Sequence, residues 1–117
     1  MEHIIWNQKI ECASRQEIQE LQLERLKHIV QVCYERIPFY RNQFDSIGLR
    51  PDHIRTLKDI QHIPFTTAED LKQNYPLGML AVDRKEIVRL HGSYGTTRKP
   101  KIVGYTKNDI ETWSEVV

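Results

Sequence analysis

The spacing of apolar residues predicts one long amphipathic helix in the first third of the chain. Ser14 and Glu17 form a capping-box pattern, in which the hydroxyl accepts from an early helix amide and the carboxylate reaches back to the cap. Pro38 lacks an N–H and disfavours helical geometry in the residue before it, so we expect the helix to end there. The apolar residues between these points recur at spacings close to one helical turn, which predicts a single buried stripe: Ile18, Leu21, Leu26, Ile29, Val30, Cys33 and Ile37.

Shorter helical pieces are predicted from Pro38 to Pro76. Pro38 suits the first position of a second helix, which Gly48 is placed to end. The stretch 56–60 is typical of a capped helical turn, and Thr66 with Glu69 forms another capping box before a helix that Pro76 must end. We expect the apolar residues of these pieces to pack on the long helix. Residues 1–13 are predicted to form an arm, and three aromatic residues are assigned to the core: Trp6, Tyr34 and Tyr40.

The pattern changes after Gly78. Residues 86–91 and 101–106 contain β-branched runs on either side of a loop rich in Gly, Ser and Thr, which predicts two antiparallel strands. Thr106 and Asn108 are both candidate N-caps for a last helix. The predicted fold class is therefore an α+β fragment. It consists of a helical part at 14–76, a β-hairpin at 86–106 and the start of a helix at 107–117. Because that helix stops on apolar residues, we expect the chain to be part of a larger domain.

Composition and charge exclude several classes of protein. The 117 residues, 39% of them hydrophobic and 28% charged, suffice for one modest core. The net charge of +1 leaves no basic stripe for nucleic acid. No apolar run approaches the roughly 20 residues of a membrane helix, and the polar start lacks a leader, so a cytoplasmic location is expected. Cys12 and Cys33 are expected to be free thiols because a reducing compartment is expected, and a disulfide between them is the less favoured alternative. Neither has a metal-ligand spacing with a histidine.

The loop at 91–100 has the residue types that most favour a ligand-binding site. Glycine lets the backbone approach a ligand closely, Ser and Thr add O–H donors, and Lys adds a positive charge, which together favour an anion site. A plain hairpin turn has the same composition, so both interpretations stay open. His91 has two interpretations as well, a residue lining a substrate pocket or a strand residue with a structural role. Asp109 and Trp113 are interpreted as helix-start and packing residues. We identify no nucleophile with a base and an orienting group.

Several motifs in one order resemble a known family. The run His91-Gly92-Ser93-Tyr94-Gly95-Thr96-Thr97-Arg98-Lys99-Pro100 continues into 103–106 and 109–113. It resembles the phosphate-loop region of phenylacetate–CoA ligases, members of the adenylate-forming superfamily of acyl- and aryl-CoA synthetases. The resemblance extends upstream through residues 38–40, 63–67 and 70–71 and through Asn74-Tyr75-Pro76. It therefore covers most of the chain, as the N-terminal part of such an enzyme's large domain.

This resemblance implies a reaction and a role for the loop. The family enzymes join ATP and an aryl acid into an acyl-adenylate with release of diphosphate, and the thiol of coenzyme A then displaces AMP. The loop would contact the β- and γ-phosphates of ATP, accompanied by Mg²⁺, during the first step. The residues that take the family's positions are Ser93, Gly95, Thr96, Thr97 and Lys99. The mobile C-terminal domain, which carries the catalytic lysine and the coenzyme A contacts, has no counterpart here. The chain is therefore expected to be inactive by itself.

Two departures from the family pattern leave an alternative function open. Tyr94 stands where the family has a second Ser, and Arg98 stands where it has a second Gly. The Cβ of Arg98 penalises any positive-φ conformation that the Gly adopts, at a cost of roughly 1 kcal/mol or more. The alternative is thus a non-catalytic remnant or interaction module derived from this fold. In either case, apolar surface that lacks the rest of the large domain predicts self-association.

Overall fold

The computed structural model describes residues 4–93 and 100–117, and it has a helical first part, a two-stranded hairpin and a closing helix. The helices are α1 (Gln8–Glu11), α2 (Arg15–Arg36), α3 (Pro38–Ser46), α4 (Ala68–Gln73) and α5 (Lys107–Val116). Short 3₁₀ turns span Pro51–His53, Leu57–His62 and Arg84–Glu86. Strands β1 (Ile87–Ser93) and β2 (Lys101–Thr106) pair in antiparallel fashion. The predicted order of a helical part, a hairpin and a closing helix is confirmed. The short helix α1 was not predicted, because it lies within the stretch 1–13 that is predicted to form an arm.

Both ends of α2 form as their residues predict. The Ser14 hydroxyl accepts from the N–H of Glu17 at 3.2 Å, and the Glu17 carboxylate accepts from the N–H of Ser14 at 2.7 Å. These hydrogen bonds lower the pKa of Glu17, because they stabilise its ionised form. At the other end Ile37 turns to an extended conformation, and Pro38 begins α3 at once. The chain therefore bends sharply between α2 and α3.

The side chain of Arg41 fixes this bend. Arg41 donates from its side chain to the backbone carbonyls of Tyr34 at 2.8 Å and Glu35 at 2.5 Å, which are carbonyls that the end of α2 leaves without helical partners. The guanidinium of Arg41 also lies 5.6 Å from the centre of the Tyr34 ring, and that of Arg50 lies 5.5 Å from it. The Tyr34 hydroxyl donates to Asp45 at 2.8 Å. This last hydrogen bond is the main reason that the pKa of Tyr34 is raised.

The core lies at the junction of α2 and α3. Its buried cluster consists of Val30, Phe44, Leu49 and Ile54, with Leu26, Tyr34, Tyr40 and Ile63 packed against it. Gly48 makes this junction possible, because its φ of +68° lets the chain turn back after α3. The N–H of Leu49 then donates to the carbonyl of Phe44 at 2.9 Å. The prediction that Gly48 ends the second helix is confirmed.

Several details of the sequence prediction are wrong. Three apolar residues of the short pieces, which are expected to pack on the long helix, are instead exposed: Ile47 (56%), Ile60 (58%) and Phe65 (92%). Ile29 is 52% exposed, because it lies about 100° around the helix from the buried Val30. Trp6 is 73% exposed and belongs to no core; its indole N–H donates to Glu115 of α5 at 3.3 Å. The N-cap of α4 is Thr67 rather than Thr66. The two threonines are adjacent and an acidic residue follows each at the right spacing, so the sequence could not separate them.

Other local predictions are confirmed. α4 ends before Pro76, and Thr56 begins the 3₁₀ turn at Leu57–His62, with its N–H donating to Asp59 at 2.7 Å. Cys12 is exposed and Cys33 half-buried, and both are free thiols. Burial raises the pKa of the Cys33 thiol, since desolvation disfavours the thiolate.

The hairpin has two different faces. β1 and β2 pair from Ile87 opposite Thr106 to Ser93 opposite Lys101, with an irregularity between Ile87 and Arg89. Alternation along the strands places Arg89, His91, Ser93, Lys101, Val103 and Tyr105 on one face. The other face carries Leu90, Gly92, Ile102 and Gly104. A Cβ on Gly104 would lie only 3.1 Å from side-chain carbons of Leu80 and Ile87, so a glycine lets these apolar residues pack onto the strand.

Candidate functional site

The hairpin presents the first of the predicted phosphate contacts at its tip. Ser93 is exposed at the end of β1, and its hydroxyl oxygen accepts from the backbone N–H of Lys101 at 3.3 Å. This hydrogen bond joins the two strands where the loop leaves them. Since the bond uses the oxygen as acceptor, the hydroxyl can still donate its own hydrogen to an anion.

The other predicted contacts lie outside the described residues. Gly95, Thr96, Thr97 and Lys99 fall within 94–99, together with the two departures from the family pattern, Tyr94 and Arg98. Their assignment to a phosphate site stays a prediction. The structure describes the two strands that flank this segment, which pair as far as Ser93 opposite Lys101.

The junction of β2 and α5 holds the base of the hairpin. Thr106 ends β2 and caps α5, where its hydroxyl accepts from the N–H of Asp109 at 3.2 Å and lies 2.8 Å from the Asp109 carboxylate. That carboxylate also accepts from the N–H of Thr106 at 2.8 Å. A carboxylate of the chain thus already occupies the positive end of α5. Asp109 is therefore a helix-start residue, as predicted, and Thr106 rather than Asn108 is the cap.

Three aromatic side chains join the hairpin to α5. The His91 ring lies 4.8 Å from the Tyr105 ring and 5.7 Å from the Trp113 ring, and Tyr105 and Trp113 stack at 5.7 Å. Such pairs contribute about 0.5–1.5 kcal/mol each beyond the area they bury. His91 lies within β1 and is half-buried by these contacts. The geometry favours the structural interpretation of His91, and the predicted packing role of Trp113 is confirmed.

Arg89, Lys101 and Ser93 give one face of the hairpin positive charge and a hydroxyl group. Arg89 and Lys101 form no ion pair with any residue in 4–93 or 100–117. In the same ranges, no three His, Cys, Asp or Glu residues come together to hold a metal ion. Positive charge and a hydroxyl group on one face can bind and orient an anion.

Carboxylates with lowered pKa values belong to helix starts, away from the hairpin. Hydrogen bonds from the hydroxyl and the N–H of Thr67 lower the pKa of Asp70, and the N–H groups of Thr56 and Arg55 lower the pKa of Asp59. The cause is local capping geometry, not a ligand site.

Across the described part of the chain, no helix is long and apolar enough to cross a bilayer.

Comparison with known sequences gives close relatives over nearly the whole chain. No protein-family model matches it. The phenylacetate–coenzyme A ligase of Aromatoleum evansii is 52% identical over 108 residues, which is 92% of this chain and 24% of the relative. That of Escherichia coli is 48% identical over 108 residues, covering 92% of this chain and 25% of the relative. That of Thermus thermophilus is 46% identical over 114 residues, which is 97% of this chain and 26% of the relative. The chain thus spans about a quarter of these relatives' length.

Solved structures agree with the sequences. A 2-hydroxyisobutyryl-CoA ligase in complex with 2-HIB-AMP and CoA superimposes with a TM-score of 0.74 at 28% identity, over 82% of this chain and 21% of that one. An open conformation of the same ligase superimposes with a TM-score of 0.72, over 81% of this chain and 23% of that one. The helical part and the hairpin therefore recur as one portion of a much larger protein.

Proposed function

Because this chain is related over nearly its whole length to phenylacetate–CoA ligases, we propose that it forms the N-terminal part of the large domain of an aryl-acid–CoA ligase. The complete enzyme would convert ATP, a phenylacetate-like acid and coenzyme A into the acyl-CoA, AMP and diphosphate through an acyl-adenylate. The observation that carries the proposal is the 52% identity, which spans 92% of the chain. So few residues fall outside that match that it includes the loop at 93–99.

In this proposal the loop binds the β- and γ-phosphates of ATP, which leave as diphosphate. Ser93, Thr96 and Thr97 donate hydroxyl hydrogens to the β- and γ-phosphates, Lys99 supplies a positive charge, and Gly95 lets the backbone come close. Such donors keep the diphosphate in line with the bond that breaks when the acid attacks the α-phosphate, and they stabilise the charge that develops on it. The acid itself binds elsewhere in the complete enzyme.

Mg²⁺ and coenzyme A enter this proposal in different ways. Mg²⁺ is bound mainly by phosphate oxygens and water in nucleotide sites, so it would arrive with ATP and need few ligands from this chain. Coenzyme A would contact parts of the enzyme without counterpart here. We therefore propose that this chain by itself forms no acyl-CoA, although its loop retains the phosphate contact.

Calorimetric titration of the chain with Mg-ATP and with Mg-diphosphate tests the phosphate contact. We expect both ligands to bind, since the contacts are to phosphate groups. We expect Lys99→Ala to weaken binding at least about fivefold, because it removes roughly 1 kcal/mol of charge-assisted hydrogen bonding. Lys107→Ala is the matched control. Lys107 is an exposed lysine near the hairpin that pairs with Glu111 at 3.7 Å.

Absence of heat for both ligands, or equal weakening by both substitutions, would contradict the phosphate contact. The first result would favour the alternative proposal, a non-catalytic remnant or interaction module of this fold. The specific observation behind that alternative is the pair Tyr94 and Arg98, which depart from the family pattern at its small positions.

A further inference from the structure

Positive charge is concentrated in the hairpin and the residues next to it. Residues 84–107, which we call the basic segment, contain seven Lys or Arg residues and one Asp or Glu, a net charge of +6. The remaining residues contain ten Lys or Arg against 15 Asp or Glu, a net charge of −5. The net charge of +1 for the whole chain therefore hides a separation of charge between the hairpin and the rest.

Part of this positive charge is unpaired and lies beside Ser93. Within the described residues, two cations of the basic segment form ion pairs: Lys85 with Asp83 at 3.3 Å and Lys107 with Glu111 at 3.7 Å. Arg84, Arg89 and Lys101 form none with any residue that the structure describes. Arg89 and Lys101 also share the face of the hairpin that carries Ser93, and both are exposed.

Arg89 and Lys101 differ in their distance from the tip of the hairpin. Lys101 is directly opposite Ser93, so its side chain can touch a ligand that Ser93 binds. Arg89 precedes Ser93 by four residues of β1, a separation of roughly 14 Å at about 3.4 Å per residue, which its side chain does not bridge. A charge at that distance still acts on an anion at low salt, because the Debye length is about 30 Å at 0.01 M ionic strength and about 8 Å at 0.15 M.

We infer that Arg89 attracts the phosphates of ATP to the tip of the hairpin through its long-range field and speeds their association with the loop, without touching them once they are bound. This inference rests on the proposed function, in which Ser93 is one of the phosphate contacts. Positive charge around a site raises the local concentration of an anionic ligand, which increases the rate of association more than the lifetime of the complex. Arg89 isolates this effect, because its charge is exposed and lies beyond contact with the tip.

The size of the effect follows from charge and distance. Mg-ATP carries about two negative charges, and Arg89→Glu changes the charge at residue 89 by two units. Across roughly 14 Å of water, this change slows association about threefold at 0.01 M ionic strength. At 0.15 M the same change is screened to less than about 1.5-fold.

Stopped-flow mixing of the 117-residue chain with Mg-ATP that carries a fluorescent N-methylanthraniloyl group measures association and dissociation at both ionic strengths. The variants are Arg89→Glu, Arg89→Gln and Arg89→Lys. Lys58→Glu is the matched control, since it changes the net charge by the same two units at an exposed residue. Lys58 lies in the turn Leu57–His62, which packs against α2 rather than the hairpin. Melting curves by circular dichroism check that each variant folds.

The expected result is a graded change that salt removes. At 0.01 M ionic strength, association slows about threefold in Arg89→Glu and roughly twofold in Arg89→Gln, and it stays unchanged in Arg89→Lys. Arg89→Gln supplies the measurement if Arg89→Glu does not fold. Dissociation stays within about 1.5-fold of the wild type in every variant, and Lys58→Glu associates as fast as the wild type. At 0.15 M the association rates of all variants converge.

Four results would overturn the inference. If Arg89→Glu associates as fast as the wild type at 0.01 M while Lys99→Ala weakens binding, Arg89 plays no part and the phosphate contact stands. An effect of Arg89→Glu that persists at 0.15 M would indicate a direct contact or an altered structure. An equal effect of Lys58→Glu would mean that only the net charge matters. If the wild type binds no nucleotide at either ionic strength, the phosphate contact fails as well, so the failure of the inference alone is distinguishable from that of the proposed function.

Discussion

The core at the junction of α2 and α3 makes a sharp prediction about stability. Phe44 is 2% exposed, and its ring lies 6.4 Å from that of Tyr34 and 6.1 Å from that of Tyr40. Truncation of a buried Phe to Ala costs about 3–5 kcal/mol, less where the surroundings can relax into the cavity. Because several neighbours of Phe44 are only partly buried and can relax, we expect Phe44→Ala to lower the free energy of unfolding by about 3 kcal/mol.

Urea unfolding followed by circular dichroism measures this loss. With a slope of about 2 kcal/mol per molar urea, typical of a small domain, the midpoint falls by roughly 1.5 M. Phe65→Ala is the control, since Phe65 is 92% exposed and its removal is expected to change the free energy by less than about 0.5 kcal/mol. If Phe44→Ala leaves no folded baseline, Phe44→Leu keeps most of the volume and is expected to cost about 1 kcal/mol.

Two outcomes would refute the assignment of Phe44 to the centre of the core. One is a loss of less than about 1 kcal/mol for Phe44→Ala at an unchanged slope, because a fully buried ring cannot be removed so cheaply. The other is an equal loss for Phe65→Ala, which would mean that an aromatic residue with almost no buried surface contributes as much as one inside the cluster.

Two further predictions concern helix caps. Thr106→Ala is expected to cost about 1 kcal/mol in urea unfolding, because it removes the hydroxyl that bonds Asp109 at the start of α5, whereas Thr106→Ser keeps the hydroxyl and is expected to cost clearly less; equal losses would contradict a capping role. Hydrogen bonds from Thr67 lower the pKa of Asp70 in the folded state, so its ionised form stabilises the fold above the ordinary Asp pKa of about 3.9, and that contribution disappears as the pH falls through the lowered value. The difference in unfolding free energy between the wild type and Asp70→Asn is therefore expected to be largest near neutral pH and to shrink on acidification, and a pH-independent difference would contradict the linkage.

Local chemistry explains why most boundaries of the fold could be predicted. The Ser14 hydroxyl and the Glu17 carboxylate bond within one turn, and the effect of Pro38 is exerted on its own backbone and on that of Ile37. Gly48 has the positive φ that its position after a helix suggests. The relationship to phenylacetate–CoA ligases was also predictable, since it rests on several motifs in a fixed order, and the curated relatives confirm it.

Predictions that depended on distant packing were less reliable. Ile29 and Val30 are adjacent apolar residues of α2, and only the position of α3 decides that Val30 is buried and Ile29 exposed. Trp6 was assigned to the core because of its residue type, but it contacts Glu115 on the surface of the fold. The contacts of Arg41 with the carbonyls that end α2 had no sequence signal, because nothing in their spacing distinguishes this arginine from others.

For the candidate site too, local features were predictable and contacts between distant segments were not. By itself the sequence determined the two strands, the start of α5 to within two residues and the family of ligases, because each follows from residues close together in the chain or from an ordered set of motifs. The tertiary structure decided that His91 packs against Tyr105 and Trp113, and that Val88 and Leu90 are exposed on β1. Those facts depend on strand register and on which face α5 covers, and both are set by contacts between segments that lie far apart in sequence.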